Sequence, residues 1–134
     1  GDVPILVLLD SGATHNFISP MLNLDVQSTA VMGVKLGDGH CVQTQGMCHQ
    51  LQLVLGKFPC TVDAHVLELG GLDFILGVAW VHTLGEVTTN WGAMTMWFRI
   101  GGKEYVLQGA GHFFQTASLW MVGLQIPTTQ HDSG

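Results

Sequence analysis

Apolar residues come in short runs along this chain, and glycine-containing turns break the runs about every ten residues. That rhythm predicts an all-β domain, with strands over 4–9, 30–36, 41–55, 58–67, 73–76, 87–90, 94–100 and 103–108. Three turns are readable between them. Gly37-Asp38-Gly39 joins the second and third strands, Leu55-Gly56-Lys57 the third and fourth, and Gly101-Gly102 the last pair. One stretch has helical spacing: 78–84 follows Gly77, stops before Gly85, and turns Trp80, Val81 and Leu84 to one side. Ser19-Pro20 can start a brief helical turn near 19–23. Residues 118–126 are apolar enough to add a strand or to dock on a partner, and 127–134 read as a polar tail.

The first strand carries the chemistry. Ile5-Leu6-Val7-Leu8-Leu9 is an unbroken apolar run that delivers a carboxylate, Asp10, and Ser11-Gly12 then turns the chain. Desolvating an unpaired charge is costly, so a carboxylate at the mouth of a buried strand points to a chemical role. The other reading of Asp10-Ser11-Gly12 is ordinary turn or capping chemistry. The tripeptide recurs at Asp132-Ser133-Gly134, after a polar stretch and with nothing following to complete a site, so that copy reads as chance.

Composition narrows the possibilities. The 134 residues fit one domain with a modest core. Apolar residues make up 47% and charged residues 10%, which points to a surface partly covered by another subunit. Net charge is −6, and the four basic residues (Lys35, Lys57, Arg99, Lys103) are scattered, so no stripe exists to neutralise phosphates and nucleic-acid binding is disfavoured. No apolar run approaches the roughly 18 residues of a spanning helix, and no secretory leader is visible, so no membrane partner is expected. Three cysteines, Cys41, Cys48 and Cys60, form no even framework and suit a reducing compartment. Seven histidines would bring the net charge close to zero in mild acid, where solubility should fall.

Four motifs stand in a fixed order. They are Asp10-Ser11-Gly12-Ala13-Thr14-His15-Asn16-Phe17-Ile18; then Ile75-Leu76-Gly77-Val78 with Trp80 and Leu84-Gly85; then Asn90-Trp91; then Thr95-Met96-Trp97-Phe98. Over residues 4–109 this resembles the retropepsin-like aspartic proteases of gypsy-type LTR retrotransposon Gag-Pol polyproteins, the plant ones above all. The resemblance implies a closed β-barrel of the acid protease fold with a flap hairpin and one short C-terminal helix. It assigns 1–109 to the protease domain and leaves 110–134 as an extension or linker. The start at Gly1-Asp2, so close to the catalytic strand, is read as that of a piece excised from a larger polyprotein. Members of the family carry a further strand ahead of the catalytic one, and 118–126 is the candidate to take its place.

The activity so implied is endopeptidase chemistry. Hydrolysing an amide without metal or covalent intermediate needs a base to activate water and an acid to protonate the leaving nitrogen. Two aspartates held close share one proton and offer both roles. This chain has one suitable aspartate, so a homodimer would supply the second Asp10 by symmetry. By the same resemblance Asp10, Ser11 and Gly12 are the catalytic set, with Ser11 bonding across the dimer and Gly12 leaving room for backbone amides. Ala13, Thr14, His15, Phe17, Leu36 and Ile75 would line apolar subsites, with Gly37, Asp38 and Gly39 at the tip of the flap. Ile75-Leu76-Gly77 would pack beneath the Asp10 loop, with Gly77 allowing close approach of neighbouring backbone. The substrate would be an extended peptide, within the element's own polyprotein, inside a cytoplasmic virus-like particle. No cofactor and no metal is implied.

Other readings stand beside these. The same fold could serve as a catalytically silent dimerisation or peptide-binding module. Gly37-Asp38-Gly39 could be a plain hairpin turn, and Asp73 reads as a strand-end residue. His40-Cys41 and Cys48-His49 offer zinc-binding atoms but lack the usual Cys-x2–4-Cys loop. Trp80, Trp91, Trp97 and Trp120 fit a core or an interface.

Overall fold

The computed structural model describes residues 2–20, 24–35, 39–69, 73–109 and 119–127. They form eleven strands and one short helix. In chain order these are β1 (Asp2–Asp10), β2 (Phe17–Ile18), β3 (Gly33–Lys35), β4 (Cys41–Gln43), β5 (Met47–Leu55), β6 (Phe58–Val66) and β7 (Phe74–Leu76). There follow α1 (Val78–His82), β8 (Val87–Asn90), β9 (Thr95–Ile100), β10 (Lys103–Gln108) and β11 (Leu119–Pro127).

Six strands pair in a ring, in the order β1-β11-β5-β6-β2-β7, with β7 returning to β1. The ring exists because apolar side chains alternate along its members. Val7 and Leu9 of β1, Leu53 and Leu55 of β5, Val62, Ala64 and Val66 of β6, and Phe74 and Leu76 of β7 all point into one core. β11 lies antiparallel to β1 along its whole length, from Asp2 opposite Pro127 to Asp10 opposite Leu119, and touches β5 at Gln125–Val54.

A three-stranded sheet, β10-β9-β8, covers the lower part of this core. Its inner residues Met96, Phe98 and Leu107 are buried against Trp80 and Leu84. Phe58 sits at the centre of the contact, with ring centroids 5.2 Å from Phe98 and 4.8 Å from Tyr105. Each such ring pair adds about 0.5–1.5 kcal/mol beyond its area. The β9–β10 turn uses Gly101 and Gly102, both left-handed at φ 60° and 80°.

Three sequence expectations change. The 41–55 run is two strands, because the chain leaves the β3–β4 hairpin at Thr44 and joins the ring only at Met47. Thr44 is buried there: its Oγ1 accepts from the Met32 amide at 3.0 Å, and its own amide donates to the Met32 carbonyl at 3.0 Å. The helix is shorter than 78–84, and it is not C-terminal, since β8 to β11 follow it. Thr83 ends it by folding its hydroxyl back onto the Trp80 carbonyl, while Leu84 still reaches the core. The turn proposed near 19–23 lies partly outside the described residues, as does the Gly37-Asp38 half of the first hairpin tip. Among the described residues no helix is long and apolar enough to cross a membrane.

Candidate active site

Asp10 is the last residue of β1, and the geometry around it follows from how three strands meet. β7 is held between two parts of one segment: β1 runs parallel to it (Leu9 opposite Leu76), and β2 runs antiparallel along its other edge (Phe17 opposite Ile75). Residues 11–16 must therefore cross over the end of β7, where Gly77 lies. The crossing is close. A Cβ built on Gly77 would stand 2.7 Å from the Ala13 carbonyl oxygen and 2.5 Å from that of His15. Only hydrogen fits there.

The loop itself is tightly bonded. The Gly12 amide donates to Asp10 Oδ1 at 2.8 Å, and the Ala13 amide donates to the Asp10 carbonyl at 3.1 Å. A Cβ on Gly12 would sit 3.2 Å from that same carboxylate oxygen. Asp10 is half-buried, whereas Ser11, Gly12, Thr14 and His15 are exposed. The arrangement presents a half-buried carboxylate within an exposed loop, anchored at one oxygen by the Gly12 amide.

An apolar wall adjoins the loop. Phe17, Leu67 and Leu69 form a second small core, with Met32, Val34, Val42 and Ile75 packed against it. Val34 and Val42 face each other across the β3–β4 hairpin, so this cluster links the hairpin to the Asp10 loop. Of the residues expected at subsites, Ala13, Thr14, His15, Phe17 and Ile75 lie on or beside the loop. Gly39 stands at the described end of the hairpin tip with φ 92°, and Leu36, Gly37 and Asp38 lie outside the described residues. Val34 and Val42 were not expected at the site, although strict alternation through a short hairpin marks them as one face.

Two imidazoles flank the wall. His15 and His65 meet edge to face with centroids 5.3 Å apart, and Phe17 lies 6.2 Å from His15 and 6.1 Å from His65. His15 Nδ1 is hydrogen-bonded to Thr14 Oγ1 at 2.9 Å. His65 Nδ1 is buried with no hydrogen-bond partner among the described residues. Burial, reinforced by the neighbouring His15 and His49, holds the His65 pKa below the ordinary imidazole value. His65 was not singled out from sequence, because its place beside Phe17 comes from the β2–β6 pairing.

Cys41 is exposed and Cys48 buried, and His49 Nδ1 lies 3.6 Å from Asp63 Oδ1. Among the described residues no group of three or more His, Cys, Asp or Glu is arranged to hold a metal ion. Trp80 is in the core, while Trp91 and Trp97 are exposed.

A predominantly β domain with one short helix, carrying a strand that ends in Asp-Ser-Gly and crosses a glycine-closed neighbour, defines a retropepsin-like aspartyl protease domain. The chain matches the retroviral aspartyl protease family over residues 1–91 and belongs to it. Among solved structures it is similar to the retroviral protease-like domain of Ddi1 from Leishmania major, with a TM-score of 0.50 and 18% identity over 75% of this chain and 81% of that one. At that identity the likeness speaks for the fold. No curated protein matches the chain.

Proposed function

We propose that the chain is an aspartic endopeptidase that works as a homodimer, with Asp10 of each copy meeting at the two-fold axis. The observation that carries this reading is the single Asp10-Ser11-Gly12 loop, exposed at the end of β1 and bonded through Gly12 to one carboxylate oxygen. One copy offers one aspartate; the reaction needs two carboxyl groups sharing a proton. In the step itself the ionised carboxylate takes a proton from water as the water oxygen attacks the amide carbon. The protonated partner hydrogen-bonds the carbonyl oxygen as it becomes negative. A proton then passes to the leaving nitrogen as the C–N bond breaks.

An extended peptide would lie between the loop and the β3–β4 hairpin, which acts as a flap, with side chains against Phe17, Ile75, Val34 and Val42. Gly37, Asp38 and Gly39 would form its tip, and Leu36 would line a subsite. Ser11 would bond across the dimer. The substrate is a retroelement polyprotein of the gypsy Gag-Pol kind, cleaved within a cytoplasmic particle. The motif order over 10–98 supports that origin.

The deciding experiment is hydrolysis of a mixed peptide library by the native chain and by Asp10→Asn, with sedimentation at micromolar concentration. Cleavage by a dimer, lost in the variant, is expected; equal cleavage by both would overturn the reading. A second reading, a silent peptide-binding module of the same fold, draws on the Gly12–Asp10 bond, which a purely structural turn would also make. Peptide binding without cleavage by either protein would favour it.

A further inference from the structure

We infer that Asn16 is the positioning residue of the Asp10 loop, the side chain that fixes the loop's place over β7. The inference rests on reading that loop as catalytic, and it concerns a residue whose side chain bonds to backbone groups of Gly77 and Asp63. Asn16 bonds through both ends of its side-chain amide and through its own carbonyl. Its Oδ1 accepts from the Gly77 amide at 2.8 Å, its Nδ2 donates to the Asp63 carbonyl at 3.0 Å, and its own carbonyl accepts from the His65 amide at 3.0 Å. One residue thus joins the loop to the β7–α1 junction on one side and to β6 on the other.

The junction has particular need of it. Gly77 is the N-cap of α1 and supplies no side-chain cap. The loop meets this helix start twice, through Gly77 N–H to Asn16 and Val78 N–H to the Ala13 carbonyl at 2.8 Å. The bare Gly77 surface lets residues 13–15 come close but does not hold them there. Asn16 is the side chain that does the holding, beside the Val78–Ala13 backbone bond.

The amide is chemically suited to this role. It accepts at one end and donates at the other, toward two backbone groups on different elements. An ionised carboxylate of the same shape would still accept from Gly77 but would face the Asp63 carbonyl with an oxygen and repel it. A protonated carboxyl would restore both bonds. Asp63 is itself held, since its Oδ1 accepts from the Gln50 amide at 2.7 Å within the β5 bulge, so it is a fixed point for Asn16 to grip.

The test measures kcat and KM of the full chain, per active site titrated with a tight-binding pepstatin-type inhibitor and well below the melting temperature. Asn16→Ala should lower kcat by about 10²-fold while KM changes less than about threefold, because a loop displaced by about 1 Å misplaces the attacking water more than it weakens peptide binding. Asn16→Asp should lose activity near neutral pH and regain it, relative to the native chain, as the pH falls and the new carboxyl becomes protonated. A role in stability alone would lower the melting temperature but leave kcat per folded molecule within about twofold of native at every pH, and that result would overturn the inference. If the native chain cleaves nothing, it is the functional reading that fails. Asn16 is then judged by amide exchange: in Asn16→Ala the Val78 amide, bonded to Ala13, should exchange about tenfold or more faster relative to that of Phe98 in β9. An unchanged Val78 rate would refute the positioning role.

Discussion

The α-carbon of Gly77 lies so close beneath Ala13 that a methyl group placed on it would stand 2.7 Å from the Ala13 carbonyl oxygen. The obstacle is backbone on both sides, since the His15 carbonyl oxygen would be 2.5 Å away, so no rotamer change relieves it. Gly77→Ala must therefore push the Asp10 loop off β7. The expected cost is about 1–3 kcal/mol, the range for an overpacked site, together with loss of peptide hydrolysis. Denaturant midpoints report the first and a peptide assay the second. A variant with native stability would show that the loop yields freely.

Folding lowers the proton affinity of His65, and burial is the main cause. The sign follows from linkage. The unfolded imidazole, near its ordinary value of 6.5, takes the proton more readily than the folded one. Stability from this residue is therefore complete above that value and is lost as the pH falls through the lower folded value. Unfolding midpoints should drop between about pH 7.5 and about pH 5, and His65→Gln should flatten the slope. An equal slope in the variant would assign the effect elsewhere.

The three thiols differ in kind. Burial pushes Cys60 up to about 11, against a smaller opposing hydrogen bond with Trp80, and burial also raises Cys48, helped by the charge of Asp25. At about pH 8 a thiol at about 11, as Cys60 is, is ionised in only about one molecule in 10³, and Cys41 alone is exposed. Brief iodoacetamide treatment of the native protein should add one label, at Cys41, and treatment in denaturant should add three. Native labelling at Cys60 by mass spectrometry would contradict the packing around Trp80.

What the sequence made legible was local. The turns at Gly56-Lys57 and Gly101-Gly102, the alternation in β6 and β9, and the apolar run ending at Asp10 each carry their own signal within a few residues. What stayed hidden was fixed by distant partners. β2 is two residues long and exists because β6 and β7 flank it. Asn16 stands within the first motif, but its bonding role has no local signature, because its side-chain partners lie 61 and 47 residues away. The small core under the hairpin assembles Phe17, Leu67, Leu69 and Ile75 from three separate segments. The requirement for glycine at 77 was legible as a close approach, but not which carbonyls it faces.

The boundary at 109 is open to a direct experiment. Sequence reading ends the protease domain there, yet β11 lies beyond it and faces β1 along all nine of that strand's residues. Deleting 110–134 removes this partner, and it opens the ring between β1 and β5. Val7 is fully buried and Leu9 is 4% exposed in the intact chain, and both sit on the strand left without its neighbour. If the two side chains lose most of their cover, the penalty is at least about 3 kcal/mol, from about 1.5–3 kcal/mol for each. For a domain of this size that is a large part of the total stability, so the truncated chain should unfold at much lower denaturant or lose its cooperative transition. Its edge strand, with unpaired backbone groups along β1, should also make it prone to aggregate. Light scattering and urea unfolding of the two lengths measure both effects. A truncated chain with the native midpoint would mean that 1–109 is a self-sufficient domain and that β11 is an accessory strand.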